Sequence, residues 1–157
     1  MSPLPRAAAR AAAALEAAGI AAEIVEMPDS TRTAEDAAAA CGCPLGAIVK
    51  SLVFRAETGE GVLVLTSGAN RVDPEALGPR LGTVLGRADA AFVRETTGFA
   101  IGGVPPLGHA SVMRVVMDPD LMAFETVWAA AGTPRTVFPV APGRLADATA
   151  AALQPVA

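Results

Sequence analysis

The sequence is poor in the residues that most often carry chemistry. Its 157 residues include one histidine, His109, one lysine, Lys50, and two cysteines, Cys41 and Cys43. One imidazole and a Cys-x-Cys pair cannot supply an open catalytic zinc site unless carboxylates complete it, so no metal is expected. Cys41 and Cys43 stand two apart, where side chains diverge and a disulfide would be strained, so both are expected to be reduced and structural. No Ser/His/Asp set has a supporting local motif, and Ser67 beside Gly68 lacks the flanking pattern of a nucleophile elbow. Hydrophobic residues make up 52% of the chain, but much of this is alanine, and no run approaches the roughly 20 strongly apolar residues of a membrane span. The N-terminal alanine stretch carries Arg6, Arg10 and Glu16 and lacks the bulky apolar core of a signal peptide. Twelve basic against sixteen acidic residues give a net charge of −4, which argues against a broad basic face for nucleic acid. The expectation is a soluble cytoplasmic protein of one domain, residues 1–157, whose nucleic-acid contacts, if any, are local.

What is present reads as a mixed sheet with helices packed on it, α/β or α+β in type, without internal repeats. Pro3 to Ala18 has the composition of a helix, with Gly19 placed as its terminator. Ala22 to Met27 reads as a short strand ended by Pro28, and Ser30-Thr31-Arg32 as a turn. Thr33 followed by Asp36 forms a capping box for an alanine helix to about Cys41. Ala47 to Arg55 is the clearest strand, followed by a turn at Glu57–Gly61 and a returning strand from Val62 to Thr66. Asp73 to Leu77 reads as a short helix, Leu81 to Leu85 as a turn or brief strand, and Ala88 to Glu95 as another helix. Val112 to Met117, Thr126 to Ala131 and Thr136 to Val140 read as strands, and Gly143 to Leu153 as a closing helix.

Two features stand out. In the alternation of the clearest strand, Lys50 shares a face with Ile48, Leu52 and Phe54, while Val49, Ser51, Val53 and Arg55 share the other. A chain with arginine at every other basic position uses its one ammonium where a compact point charge is wanted; a lysine snorkelling at a strand end is the plainer alternative. The second feature is Thr97 to His109, with four glycines and two prolines in an almost uncharged run. Such a loop can present main-chain N–H groups to an oxyanion or carbonyl, although a tight turn between core strands would have the same composition.

With Ile48-Val49-Lys50-Ser51-Leu52-Val53-Phe54 and Gly102-Gly103-Val104-Pro105-Pro106-Leu107-Gly108 together, the chain resembles the YbaK/EbsC family, free-standing relatives of the editing domain inserted in bacterial prolyl-tRNA synthetases. The family's lysine falls on Lys50, and its loop of glycine, three residues and proline falls on Gly102 to Pro106. The resemblance implies a partly closed mixed β-sheet flanked by helices, with a pocket between the lysine strand and the glycine loop. It implies hydrolysis of wrong aminoacyl-tRNA without a cofactor, with the acceptor end of a mischarged tRNA, tRNA-Pro above all, as substrate and prolyl-tRNA synthetase as a possible associate. Lys50, Gly102 and Gly103 are the implied catalytic positions. Thr31, Thr66, Ser67, Pro105, Pro106, Gly108 and His109 are the implied substrate-binding ones, with His109 also a candidate general base. Pro105 adds a second proline inside the loop, and Ser30-Thr31-Arg32 departs from the family, which leaves the amino acid open. A non-catalytic binding module on the same fold is the alternative, and a structural protein with glycine turns in its core is the next.

Overall fold

The computed structural model describes residues 4–28 and 33–157. Helix α1, Arg6–Ala17, buries Ala8, Ala11 and Leu15, which the helical period places on one stripe. Strand β1, Val25–Glu26, is shorter than the alternation suggested. Helix α2, Ala34–Cys41, starts at Thr33, whose hydroxyl accepts the Asp36 N–H at 3.1 Å. Cys41 and Cys43 are free thiols, and burial, with Cys43 adding to it, pushes Cys41 up to about 11. The proposed turn at Ser30-Thr31-Arg32 lies outside the described residues.

Strands β2, Val49–Ala56, and β3, Gly61–Ser67, form the expected hairpin, with Lys50 opposite Thr66 and Phe54 opposite Val62. Then follow helix α3, Pro74–Arg80, strand β4, Leu85–Arg87, helix α4, Ala90–Thr97, and strand β5, Arg114–Met117. Strands β6, Val127–Ala130, and β7, Thr136–Val140, lead to helix α5, Pro142–Thr149, and strand β8, Ala152–Leu153. The closing helix is shorter than read because Ala150 turns left-handed at φ 53°, which ends a helix and frees the next residues to pair.

These strands form two open sheets rather than one partly closed one. Five strands run in the order β4-β2-β3-β5-β8 and three in the order β1-β7-β6, and among the described residues a single parallel bridge between Ile48 and Trp128 joins them. Alternation along β3 divides the interior in two. Leu63 and Leu65 enter the larger core with Leu15, Phe99, Leu121, Phe138 and Leu145, each contributing about 2 kcal/mol when fully buried. Val62 and Val64 turn to the other face, against Leu77, Leu81, Leu85 and Val116. Lys50 pairs across the hairpin on this second, thinner face, at its end, and is half-buried.

Candidate active site

A cavity of about 400 Å³ lies where the edge of β2 is uncovered. Strand β4 pairs with β2 only from Phe54 to Ala56, and β6 lies beside it but bridges the chain only at Ile48, just before β2 begins. The gap between them is lined by Lys50, Ser51 and Val53 from β2, Gly102 and Val104 from the glycine loop, and Trp128 from β6. Most of the lining is aliphatic, so the few polar groups that reach it decide what it can bind.

Lys50 is held by a chain of hydrogen bonds. Its Nζ donates to the Asn70 carbonyl at 2.6 Å. The Asn70 side-chain amide donates to Asp118 Oδ2 at 2.8 Å and to Asp120 Oδ2 at 2.7 Å. Asp118 is buried, 2% exposed, and its Oδ2 also accepts from Thr66 Oγ1 and the Ser67 N–H, both at 3.1 Å. A buried carboxylate with this many donors is well satisfied and fixes the loop at Asn70. Burial lowers the Lys50 pKa from its ordinary value, the Glu35 and Asp118 carboxylates oppose this and Arg71 adds to it.

The glycine loop is built around a tight turn. Gly103 N–H donates to the Ala100 carbonyl at 3.0 Å, with Gly102 at φ +92° in the third position of the turn, where a type II turn requires a positive φ. A Cβ on Gly103 would sit 2.7 Å from Thr133 Cα and 2.9 Å from Gly132 O, so only glycine permits this contact. Gly102 N–H has no hydrogen-bond partner among the described residues, and the residue lines the cavity.

Residues 28–148 match the model of the aminoacyl-tRNA editing domain family. The chain belongs to this family. A crystal structure of a candidate trans-editing enzyme for prolyl-tRNA synthetase is similar to it at 45% identity, with 98% of each chain covered and a TM-score of 0.93. A structure from work on grafting epitope backbones onto scaffold proteins is similar at 43% identity, 98% coverage of each chain and a TM-score of 0.92. The uncharacterized protein YwhH of Bacillus subtilis is 32% identical over 125 residues, 80% of each chain.

Within this editing domain the positions singled out from the sequence fall into three groups. Lys50 and Gly102 share the cavity. Gly103, Pro105 and Pro106 are buried in the body of the loop rather than on the cavity wall, and Gly108 is exposed at its far end. His109 also stands outside the cavity, with Nε2 2.7 Å from the Pro105 carbonyl; a carbonyl only accepts, so the imidazole donates from Nε2 and ties the loop together. Thr66 and Ser67 lie beneath the site, Ser67 Oγ donating to the Gly46 carbonyl at 2.7 Å. Thr31 lies outside the described residues. Asn70 and Asp118 are not recognisable from the sequence as site residues because 48 positions separate them, and the nearest local signals are the Ser67-Gly68-Ala69-Asn70 turn and the Asp118-Pro119 stop.

Proposed function

We propose that this editing domain, as one unit of 157 residues, hydrolyses the ester of mischarged aminoacyl-tRNA in trans, with tRNA-Pro carrying a small wrong amino acid as the preferred substrate. The observation that carries this reading is the sharing of one largely apolar cavity by Lys50 and by Gly102, whose N–H is unbonded among the described residues. The similarity to a candidate trans-editing enzyme for prolyl-tRNA synthetase supports the choice of tRNA.

An aminoacyl ester is already activated, so the protein has little covalent work to do. Water attacks the carbonyl carbon, the bond to the terminal ribose oxygen breaks, and that oxygen leaves with a proton. Gly102 N–H stabilises the developing oxyanion, a contribution of about 3 kcal/mol for one such donor. Lys50 binds the terminal adenosine's phosphate or orients the aminoacyl end, and a ribose hydroxyl assists the water. No step calls for a metal ion. The acidic surface confines tRNA contacts to the acceptor end, and prolyl-tRNA synthetase is the natural associate in a cytoplasmic setting. No helix among the described residues is long and apolar enough to cross a membrane. The test is a panel of mischarged tRNAs, including tRNA-Pro charged with alanine, serine, threonine or cysteine, incubated with purified protein. Release of a small amino acid from tRNA-Pro, insensitive to chelators, is expected; stable esters throughout would leave only a binding module.

A further inference from the structure

Strand β6 presents two unlike faces. In its antiparallel pairing with β7, Val127 stands opposite Val140 and Ala129 opposite Phe138, and all four are buried in the larger core. The alternate residues, Trp128 opposite Pro139 and Ala130 opposite Val137, therefore point away from that core. Trp128, Ala130 and Val137 line the cavity instead. Trp128 is the only tryptophan of the chain, yet it belongs to neither apolar core and is half-buried. Among the described residues its ring makes no aromatic or cation contact and its N–H no hydrogen bond. An indole left in this way at a cavity wall has a broad apolar face to offer.

The surroundings of the ring define its occupant. Ile101, the second residue of the glycine-loop turn, also lines the cavity and is 55% exposed, so a branched aliphatic group stands free on another wall. Among the described residues the lining carries no carboxylate and no amide side chain, which suits a flat group held by its π-face rather than read along its edge. Trp128 bridges Ile48, and Lys50 follows two residues later, about 7 Å along the strand, a step comparable to that between the base and the 5′-phosphate of one nucleotide. A small aminoacyl group fills only part of a space of about 400 Å³, and its neighbour on the substrate is the terminal nucleoside. We propose that Trp128 is the platform on which the terminal adenine of the acceptor end stacks, with Ile101 covering the base from the other side. This rests on the deacylase reading above and adds to it the residue that holds the base. The base takes no part in ester cleavage, so stacking stabilises bound substrate and transition state alike and acts on KM rather than kcat.

With one tryptophan and no tyrosine in the chain, fluorescence excited at the red edge of the protein band reports this ring alone. The probe is an acceptor-stem RNA of tRNA-Pro whose terminal adenosine carries alanine through an amide, which resists hydrolysis, and the control is the same RNA without the terminal base. Saturable quenching by the first and none by the second is expected, with binding of the second weaker by about tenfold, the factor that stacking of one base supplies. On the corresponding ester, Trp128→Ala should raise KM by about the same factor with kcat nearly unchanged, and Trp128→Phe should recover most of the loss. Ile101→Ala should weaken binding of the complete RNA and not that of the control. Quenching by neither RNA, or equally by both, would overturn the assignment, as would a Trp128→Ala defect confined to kcat. Should base-dependent quenching appear while no ester is cleaved, the deacylase reading fails and Trp128 keeps its role. Cleavage without base-dependent quenching leaves the deacylase standing and Trp128 misassigned.

Discussion

The Lys50 ammonium lies 2.6 Å from the carbonyl oxygen of Asn70, and the side chain of the same asparagine is gripped by two carboxylates, Asp118 and Asp120. The one lysine of the chain is therefore positioned by a loop that is itself pinned. A bound phosphate would find the charge already in place, at little further cost in side-chain entropy.

Lys50→Ala should abolish most deacylation with the fold intact. Lys50→Arg should fail nearly as badly, since a planar, longer guanidinium cannot take the place of a compact charge bonded to one carbonyl. Burial lowers the Lys50 pKa, which means that the folded state disfavours the charged form. Lys50→Met should therefore melt no lower than wild type. Single-turnover assays with thermal melts check all three, and full turnover by Lys50→Arg would reduce Lys50 to a generic positive charge.

Asp118 serves stability and positioning at once. Asp118→Ala leaves Thr66, Ser67 and Asn70 without their shared acceptor and should cost about 3 kcal/mol in denaturant unfolding. Asn70→Ala removes only the outer link. It should lose under about 1 kcal/mol, in line with other partly exposed substitutions, while raising KM as the Lys50 anchor loosens.

Gly102→Ala and Gly103→Ala separate the two uses of glycine. At Gly102 the cost is backbone strain at φ +92°, about 1–2 kcal/mol, with the N–H kept. At Gly103 the new Cβ would collide with the backbone of Gly132 and Thr133, so the loop must move. Activity should fall more for Gly103→Ala, although Gly103 lies off the cavity wall, and an equal loss in the two variants would show that the wall position dominates.

His109 gives the pH prediction. Burial lowers its pKa below the ordinary value, with the Pro105 contact opposing, so the unfolded chain binds the proton more readily than the folded one. Stability should be full above the unfolded value of about 6.5 and should decline as pH falls through it toward the folded value. His109→Gln should flatten that decline in melts from pH 8 to 5. Turnover should largely survive this change if the imidazole is a strap rather than a base.

The hairpin and its lysine were legible because alternation, a glycine turn and a solitary residue type are all local signals. The glycine loop was legible as a loop, but not in its details. Whether Gly102 or Gly103 keeps a free N–H depends on which carbonyl the turn closes upon, and the close seat of Gly103 exists only because Gly132 and Thr133, thirty residues further on, lie against it. The break into two sheets was hidden as well, since strand β4 covers three residues of β2 rather than eight, and no residue pattern in β2 announces where its neighbour stops. Asp118 shows the same limit, because its partners sit about fifty residues away and meet it only through the parallel pairing of β3 with β5.

Behind the glycine loop stands helix α1. Arg10 donates to the Gly98 carbonyl at 2.7 Å and lies 4.4 Å from the centre of the Phe99 ring, while Gly132, the seat of Gly103, backs directly onto the Ala7 carbonyl. The region that matches the family begins at residue 28, after this helix. A fragment trimmed to the matched region would keep every residue of the cavity wall and lose the buttress of the loop that completes it. The span by which the domain is recognised is thus smaller than the span that holds its site in shape, and grafting the activity into another protein would require carrying the first helix along.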